Sequence, residues 1–143
     1  MAGVAACPGA AYLVQQGSRM TIPPPPRSVL VVDDVPDMST SLGLLLAGLG
    51  FSVRTALSGE QALCLIRDDP PDAVISDIEM PGIGGIGLAQ AIKRDSSINA
   101  LLIGISGSAQ SLRDAADLFD HTLLKPVSIE ALEELLPHED WNI

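Results

Sequence analysis

The stretch SVLVVDD, residues 28–34, joins an apolar segment directly to two neighbouring carboxylates, and this junction decides the fold. The apolar run has no polar alternation, which is typical of a strand that is buried on both faces of a parallel sheet. A buried strand is not expected to end at Asp33 and Asp34 unless a positive charge neutralises them, because unpaired buried charges are costly. The stretch therefore predicts an interior strand that leads into a cation site.

Similar apolar segments follow and alternate with helical periodicity. The predicted strands cover residues 28–33, 51–56, 73–76, 100–106 and 122–124. The predicted helices run from Pro36 to a cap at Gly50, over 60–67 after Ser58, over 84–94, over 112–119, and onward from Ser128. One stripe of the first helix is predicted to face the core and contains Met38, Leu42, Leu45, Leu46 and Leu49. Five strand–helix units in succession predict an α/β domain with a parallel sheet and helices on both faces.

Polar residues stand where four of the predicted strands end. In sheets of this kind a ligand site lies beyond the carboxyl ends of the strands. The residues at those ends are Asp33, Asp34, Asp77, Ser106 and Lys125. Taken singly, each residue is explained as well by a place at a solvated strand end or helix cap as by a functional role. Their coincidence at four independent strand ends favours one shared site.

The residue types at this edge indicate phosphoryl chemistry with a hard cation. Mg²⁺ prefers oxygen ligands and is typically held by one or two carboxylates together with phosphate oxygens. Near such a cation, Asp77 could attack phosphorus and form an aspartyl phosphate. The Lys125 ammonium would then stabilise the charge on the phosphoryl oxygens, and the Ser106 hydroxyl could donate a hydrogen bond to one of them.

Four segments carry a family resemblance: VVDD (31–34), SDIEMPGIGG (76–85), ISGSA (105–109) and LLKPV (123–127). With these motifs the chain resembles the receiver domain of two-component response regulators over residues 28–136. The resemblance implies a single (βα)5, flavodoxin-like, doubly wound domain whose five parallel strands have the order 2-1-3-4-5. It also implies a phosphoacceptor signalling switch that takes its phosphoryl group from a histidine kinase or a histidine phosphotransfer protein.

The resemblance assigns roles in the chemistry of the site. It implies that Asp77 is the phosphoacceptor and that Mg²⁺ is the cofactor. Asp34 and Asp77 would bind the metal directly, Asp33 would act through water, and Glu79 would contribute its backbone carbonyl. Side chains at the positions of Glu79 and Ser108 would tune dephosphorylation.

The resemblance also assigns the switch, and here the chain departs from the family pattern. Ser106 is implied as the switch hydroxyl, Lys125 as the phosphate-binding and activation lysine, and Pro126 as following a cis peptide bond. An aromatic residue or histidine usually stands three residues before the lysine, where this chain has Thr122. His121, one position earlier, could partly substitute for the usual ring, although it is expected on the opposite face of the strand.

A further departure concerns the end of the fourth helix, where the family often has glycine. This chain has Leu118 and Phe119 there. The output face, built from the fourth helix, the fifth strand and the fifth helix, is therefore expected to switch in an unusual way.

Two alternatives to a phosphoacceptor switch stay open. One is a receiver-fold protein-binding module that works without phosphorylation, which the departures at Thr122 and Leu118 motivate. The other is a magnesium-dependent phosphohydrolase, for which Asp77-Ile78-Glu79 is only a loose match to the expected pair of aspartates. We expect no separate substrate turnover, so the chain is not predicted to be an enzyme beyond its own phosphorylation and dephosphorylation.

Composition limits the partners and the location. The chain has 143 residues with 8 basic and 18 acidic residues and a net charge of -10, which argues against direct nucleic-acid binding. No apolar run approaches the roughly 18 residues of a membrane span, so no membrane insertion is expected. The two cysteines, Cys7 and Cys64, lack C-x-x-C spacing; no structural disulfide and a cytoplasmic location are expected. The partner downstream is expected to be a protein, and the domain a monomer or a phosphorylation-dependent homodimer.

Three segments are predicted along the chain. Residues 1–27 are a flexible, proline-rich extension with four consecutive prolines at 23–26, of which residues 1–19 could be an expression leader. Residues 28–136 form the receiver domain. Residues 137–143 form a short tail, and no output domain is expected.

Overall fold

The computed structural model describes residues 27–136, in which five strands alternate with five α-helices. The strands are β1 (Ser28–Val32), β2 (Ser52–Ala56), β3 (Ala73–Asp77), β4 (Leu101–Ser106) and β5 (His121–Leu124). The helices are α1 (Pro36–Gly48), α2 (Gly59–Asp68), α3 (Gly84–Arg94), α4 (Ala109–Asp114) and α5 (Ile129–Leu135), with a 3-10 helix at Ala116–Leu118. The predicted extension up to residue 26 and the predicted tail lie outside the described residues.

All neighbouring strands pair in parallel, and their order is β2-β1-β3-β4-β5, which confirms the predicted fold. The register brings the carboxyl ends together, because Val32 is aligned with Ser76 and Ser76 with Gly104. The residues that follow β1 and end β3 and β4 are therefore neighbours at one edge of the sheet.

The central strand β1 is buried on both faces, as its apolar run predicts. Leu30 and Val32 pack into the core on the side of α2, α3 and α4, whereas Val29 and Val31 pack into the core on the other side. None of these four side chains is more than 1% exposed. Burying each stabilises the fold by about 1.5–3 kcal/mol, so β1 holds the two helical layers on a fixed platform.

Serine side chains begin three of the helices. The hydroxyls of Ser58, Ser108 and Ser128 accept hydrogen bonds from the backbone N–H three residues later, at 3.0, 3.2 and 3.1 Å. The sequence predicted the caps at Ser58 and Ser128. Such a cap typically stabilises a helix by about 1 kcal/mol.

The fourth helix differs from its prediction over residues 112–119. It begins at Ala109, because Ser108 caps it, and ends at Asp114 before the 3-10 helix. The apolar residues that suggested a longer helix, among them Leu112 and Phe119, are nevertheless buried. Their spacing reflects contact with the core over a bent segment rather than one continuous helix.

The core-facing side of α1 agrees with its prediction at Leu42, Leu46 and Leu49, which pack into the core, and differs at two other positions. Met38 and Leu45, predicted to be buried, are 45% and 44% exposed, and the buried residues are Ser39, Gly43 and Leu46. A Cβ at Gly43 would lie 3.4 Å from Val53 of β2. The helix therefore approaches the sheet at the glycine, and this close approach determines which side of α1 faces inward.

The structure also bears on the expectations about a disulfide bond and a membrane span. The expectation of no disulfide is wrong for Cys64, which is disulfide-bonded, while Cys7 lies outside the described residues. Within residues 27–136, every helix is too short or too polar to cross a membrane.

Candidate functional site

The end of β1 places the first two acids of the site. Asp33 is buried and Asp34 half-buried. The Asp33 backbone N–H donates to the Ala56 carbonyl at 3.1 Å, and its Oδ1 accepts from the Val35 N–H at 3.0 Å. These two bonds fix the turn between β1 and α1. Because Oδ1 is held by the turn, the second oxygen of Asp33, Oδ2, is directed toward Lys125.

Asp77 is the last residue of β3 and lies beside Asp33. Its side chain is only 9% exposed. The Lys125 Nζ lies 3.4 Å from Asp77 Oδ2 and 3.6 Å from Asp33 Oδ2, so one ammonium is shared by two carboxylates. Among the buried side-chain atoms of the described residues, Asp77 Oδ1 is left without a hydrogen-bond partner. The site therefore holds more negative charge than its own lysine neutralises.

The pKa of Asp77 shows the same imbalance. Burial raises the pKa of this carboxyl above its ordinary value, and the charge of Asp33 raises it further, although Lys125 opposes both effects. A group that is costly to ionise in the free protein gains most from an added cation. This electrostatic imbalance favours a positively charged ligand at the ends of β1 and β3.

The donor set fits a hard divalent cation. One carboxylate oxygen each from Asp33, Asp34 and Asp77 lie within 4.8 Å of one another. Mg²⁺ prefers oxygen ligands, and the unpartnered Asp77 Oδ1 offers one that no protein group occupies. The structure thus brings together the three acids that the sequence predicted as metal ligands. The part assigned to the Glu79 carbonyl stays a prediction.

Ser106 ends β4 on the other side of Asp77, and its hydroxyl is already engaged. It lies 2.8 and 3.0 Å from the two carboxylate oxygens of Glu79, and its oxygen accepts from the Ser108 N–H at 2.9 Å. Burial acts to raise the pKa of Glu79, but the hydroxyls of Ser111 and Ser106 outweigh it and the pKa is lowered. Sequence reasoning missed this contact, although Glu79 follows β3 and Ser106 ends the neighbouring strand β4.

Lys125 reaches the site from the loop after β5. Its backbone N–H donates to the Ser106 carbonyl at 2.8 Å, which extends the pairing of β4 and β5 by one residue. The peptide bond between Lys125 and Pro126 is cis, as the resemblance implies. All five strand-end residues that the sequence selected therefore meet in one corner.

The two residues of β5 predicted to belong to the switch lie on opposite faces. Leu123 packs into the core on the α1 and α5 side, so alternation places His121 on that side and Thr122 on the side of Ser106. Thr122 is aligned with Gly104 of β4, and a Cβ at Gly104 would lie 3.0 Å from the Phe119 ring. His121 therefore lies on the face opposite Thr122, as the alternation of the strand predicts.

A groove of about 470 Å³ opens beside the acids, between α1 and the loop after β5. Its lining includes Asp33, Met38, Leu42, Leu45, Pro126 and Val127. The groove is mainly apolar, so the acidic corner is bordered by an apolar surface.

Comparisons with known proteins agree with this geometry. A family model described as the response regulator receiver domain matches residues 29–137. The probable transcriptional regulator ycf27 of Guillardia theta is 36% identical over 108 residues, which are 75% of this chain and 42% of that protein. The virulence sensor protein BvgS of Bordetella pertussis is 38% identical over 117 residues, 76% of this chain and 10% of that protein. The chain thus spans less than half the length of these curated relatives.

Solved structures show the same architecture. The response regulator TrrA of Thermotoga maritima, in complex with Mg²⁺ and BeF, has 32% identity and a TM-score of 0.71, covering 76% of this chain and 95% of that one. A CheY-like receiver domain from Methylobacillus flagellatus has 29% identity and a TM-score of 0.72, covering 77% of this chain and 95% of that one. Because the family model covers most of the chain and relatives exceed 30% identity, this chain belongs to the response regulator receiver domains of two-component signal transduction.

Proposed function

We propose that this domain is a phosphoacceptor switch in which Asp77 takes a phosphoryl group from a phosphohistidine of a kinase or phosphotransfer protein. The observation that carries the proposal is the state of Asp77: buried, with one oxygen unpartnered and the other beside Lys125. A carboxylate needed only for stability would have both oxygens satisfied.

The transfer is a displacement at phosphorus. One carboxylate oxygen of Asp77 attacks the phosphorus, the P–N bond to the donor histidine breaks, and its electron pair remains on the imidazole nitrogen. Lys125 compensates the charge of the phosphoryl oxygens from its place between Asp77 and Asp33. A Mg²⁺ held by Asp33, Asp34 and Asp77, with the Glu79 carbonyl, would neutralise the remaining charge.

Phosphorylation then changes the charge and the hydrogen bonding at the ends of β4 and β5. The new group adds nearly two negative charges and strong acceptor oxygens beside the Ser106 hydroxyl. The populations of two arrangements of α4, β5 and α5 would shift, with Thr122 and Pro126 in the affected segment. Glu79 and Ser108 border the site and are proposed to set how long the acyl phosphate lasts.

Exposed apolar residues near the acids support a protein as phosphodonor. Val35, Met38 and Leu45 are between 44% and 46% exposed and lie on the α1 side of the site. Such residues together with the groove beside Asp33 form a surface that a partner could cover. The donor would therefore dock along α1 while its histidine reaches Asp77.

The same proposal includes the setting of the domain. We expect a cytoplasmic location, no direct nucleic-acid contact by this domain, a protein partner downstream, and a monomer or a phosphorylation-dependent homodimer. The relative named as a probable transcriptional regulator is longer than the matched region, which covers 42% of it. No separate substrate turnover is proposed.

A second candidate is a binding module that works without phosphorylation. It is favoured by Thr122, which offers no ring at the position where the family usually carries one. The intact acidic corner favours the switch instead, because a module without phosphoryl chemistry has no need for a buried, unpartnered carboxylate oxygen at Asp77.

The test is the intact mass after incubation with Mg²⁺ and a small phosphodonor, followed by a phosphohistidine donor. We expect one phosphoryl group on the parent chain and none on Asp77→Asn. A folded parent that binds Mg²⁺ but accepts phosphate from neither donor would favour the phosphorylation-independent module.

A further inference from the structure

The Glu79 carboxylate connects the loop after β3 to the end of β4. Glu79 follows β3, and it receives the hydroxyl of Ser106 at the end of β4 at 2.8 and 3.0 Å. Both oxygens of one charged side chain therefore lie within hydrogen-bond distance of the switch serine.

The hydrogen-bonding capacity of Ser106 is committed by these contacts. A serine hydroxyl has a single proton to donate, and here it is directed at Glu79. Its oxygen accepts from the Ser108 N–H at 2.9 Å. Ser106 cannot donate to a phosphoryl oxygen on Asp77 unless it first releases Glu79.

We propose that Glu79 is a latch, a positioning residue that holds the Ser106 hydroxyl in the unphosphorylated arrangement. The inference rests on the proposed function, since the latch competes with the phosphoryl group for the same proton. A phosphoryl group wins this competition because it carries more negative charge and offers more acceptor oxygens than a carboxylate. The like charges of Glu79 and the phosphoryl group then keep the released carboxylate away.

The latch makes the phosphorylated arrangement harder to reach. An acceptor that binds only the released state has an apparent affinity reduced by the fraction of molecules in that state. A hydrogen bond to a charged group is strong enough to make this a roughly tenfold effect. Breaking the latch without changing the charge of the site should therefore tighten the binding of a phosphoryl mimic.

Glu79→Asp is the sharpest variant, because it keeps the charge. It shortens the side chain by one carbon–carbon bond, about 1.5 Å, so the carboxylate no longer reaches Ser106. Glu60→Asp is the matched control: the Glu60 carboxylate also contacts the loop after β3, accepting from the Ile83 N–H at 3.3 Å, but has no contact with Ser106. Ser106→Ala removes the partner of the latch.

The measurement is the dissociation constant of beryllofluoride in saturating Mg²⁺, by isothermal titration of the folded chain. We expect Glu79→Asp to bind roughly tenfold more tightly than the parent, and Glu60→Asp to bind like the parent. In the Ser106→Ala background, Glu79→Asp should change nothing, because the latch has no partner there.

The outcomes separate the latch from the proposed function. If the parent binds beryllofluoride and Glu79→Asp binds equally or more weakly, the latch is wrong and the phosphoacceptor site stands. If the tightening persists in Ser106→Ala, it comes from the loop and not from the latch, which is again overturned. If the folded parent does not bind beryllofluoride at all, the phosphoacceptor proposal fails and the latch fails with it.

Discussion

The two edges of the sheet use the same residue type for opposite purposes. At the amino edge, Asp72 Oδ2 accepts from the backbone N–H groups of Arg27 and Ser28 at 2.8 and 3.0 Å and from the Ser28 hydroxyl at 3.1 Å. Asp120 Oδ2 likewise accepts from the Leu102 N–H at 2.8 Å. At the carboxyl edge, Asp77 keeps an unpartnered oxygen. Bound carboxylates tie strands together, whereas an unsatisfied one marks where a ligand is needed.

The largest expected effect tests whether the carboxyl edge depends on backbone packing. A Cβ at Gly85, in the first turn of α3, would collide with the backbone carbonyl of Asp77. Gly85→Ala should lower the free energy of unfolding by about 3 kcal/mol and displace Asp77. Urea denaturation would measure the loss, and Mg²⁺ titration would report the displacement.

The control for that substitution is Gly48→Ala at the end of α1, where a Cβ meets nothing within 4 Å. It should leave stability unchanged or raise it slightly, since alanine favours helix. Equal stability of both variants would mean that α3 can retreat from the sheet and that the acids are less firmly placed than their burial indicates.

An intermediate effect is expected at the amino edge. Asp72→Ala should lower the free energy of unfolding by about 1–2 kcal/mol, because the donors at the start of β1 lose their acceptor and have only water instead. Phosphorylation of Asp77 should continue at the parent rate. A loss of phosphorylation in a folded Asp72→Ala protein would contradict the division of labour between the edges.

The smallest effect should have the opposite sign. Without Mg²⁺ at pH 7, Asp77→Asn should raise the free energy of unfolding by about 1 kcal/mol, because it removes a buried charge that competes with Asp33 for one lysine. Thermal unfolding of both proteins would show it. A destabilised Asp77→Asn protein would mean that the carboxylate serves stability after all.

The pH dependence of that difference sharpens the comparison. The pKa of Asp77 is raised in the folded state from its ordinary 3.8, so the parent loses stability as the pH rises through the folded value. The advantage of Asp77→Asn should therefore vanish as the pH falls toward 3.8, where the carboxyl is protonated in the folded protein. Mg²⁺ should stabilise the parent at neutral pH, and this gain should shrink on acidification.

The sequence alone predicted the framework and most of the corner. The apolar run of β1 indicates that the strand is buried, and the polar residues at the strand ends indicate where the site lies. Both patterns can be read directly from the sequence. The register of the parallel strands then brings Asp33, Asp77 and Ser106 to one edge of the sheet, because the strands are of similar length.

What the sequence did not predict depends on local three-dimensional competition. Ser108 begins α4 three residues before the predicted start, because a cap overrides a periodic pattern that fits two helix boundaries. Gly43 determines the buried face of α1 through its contact with β2. The hydrogen bond between Glu79 and Ser106 depends on the side-chain rotamers of both residues, which cannot be predicted from residue spacing.

The hydrogen bond from the Lys125 N–H to the Ser106 carbonyl connects the ends of β4 and β5 through the main chain. A pull on the tip of β4 would reach the loop that carries Lys125 through main-chain atoms alone, without passing through a side chain. Those atoms are present whatever residue occupies position 122. This main-chain connection therefore does not depend on a ring at position 122.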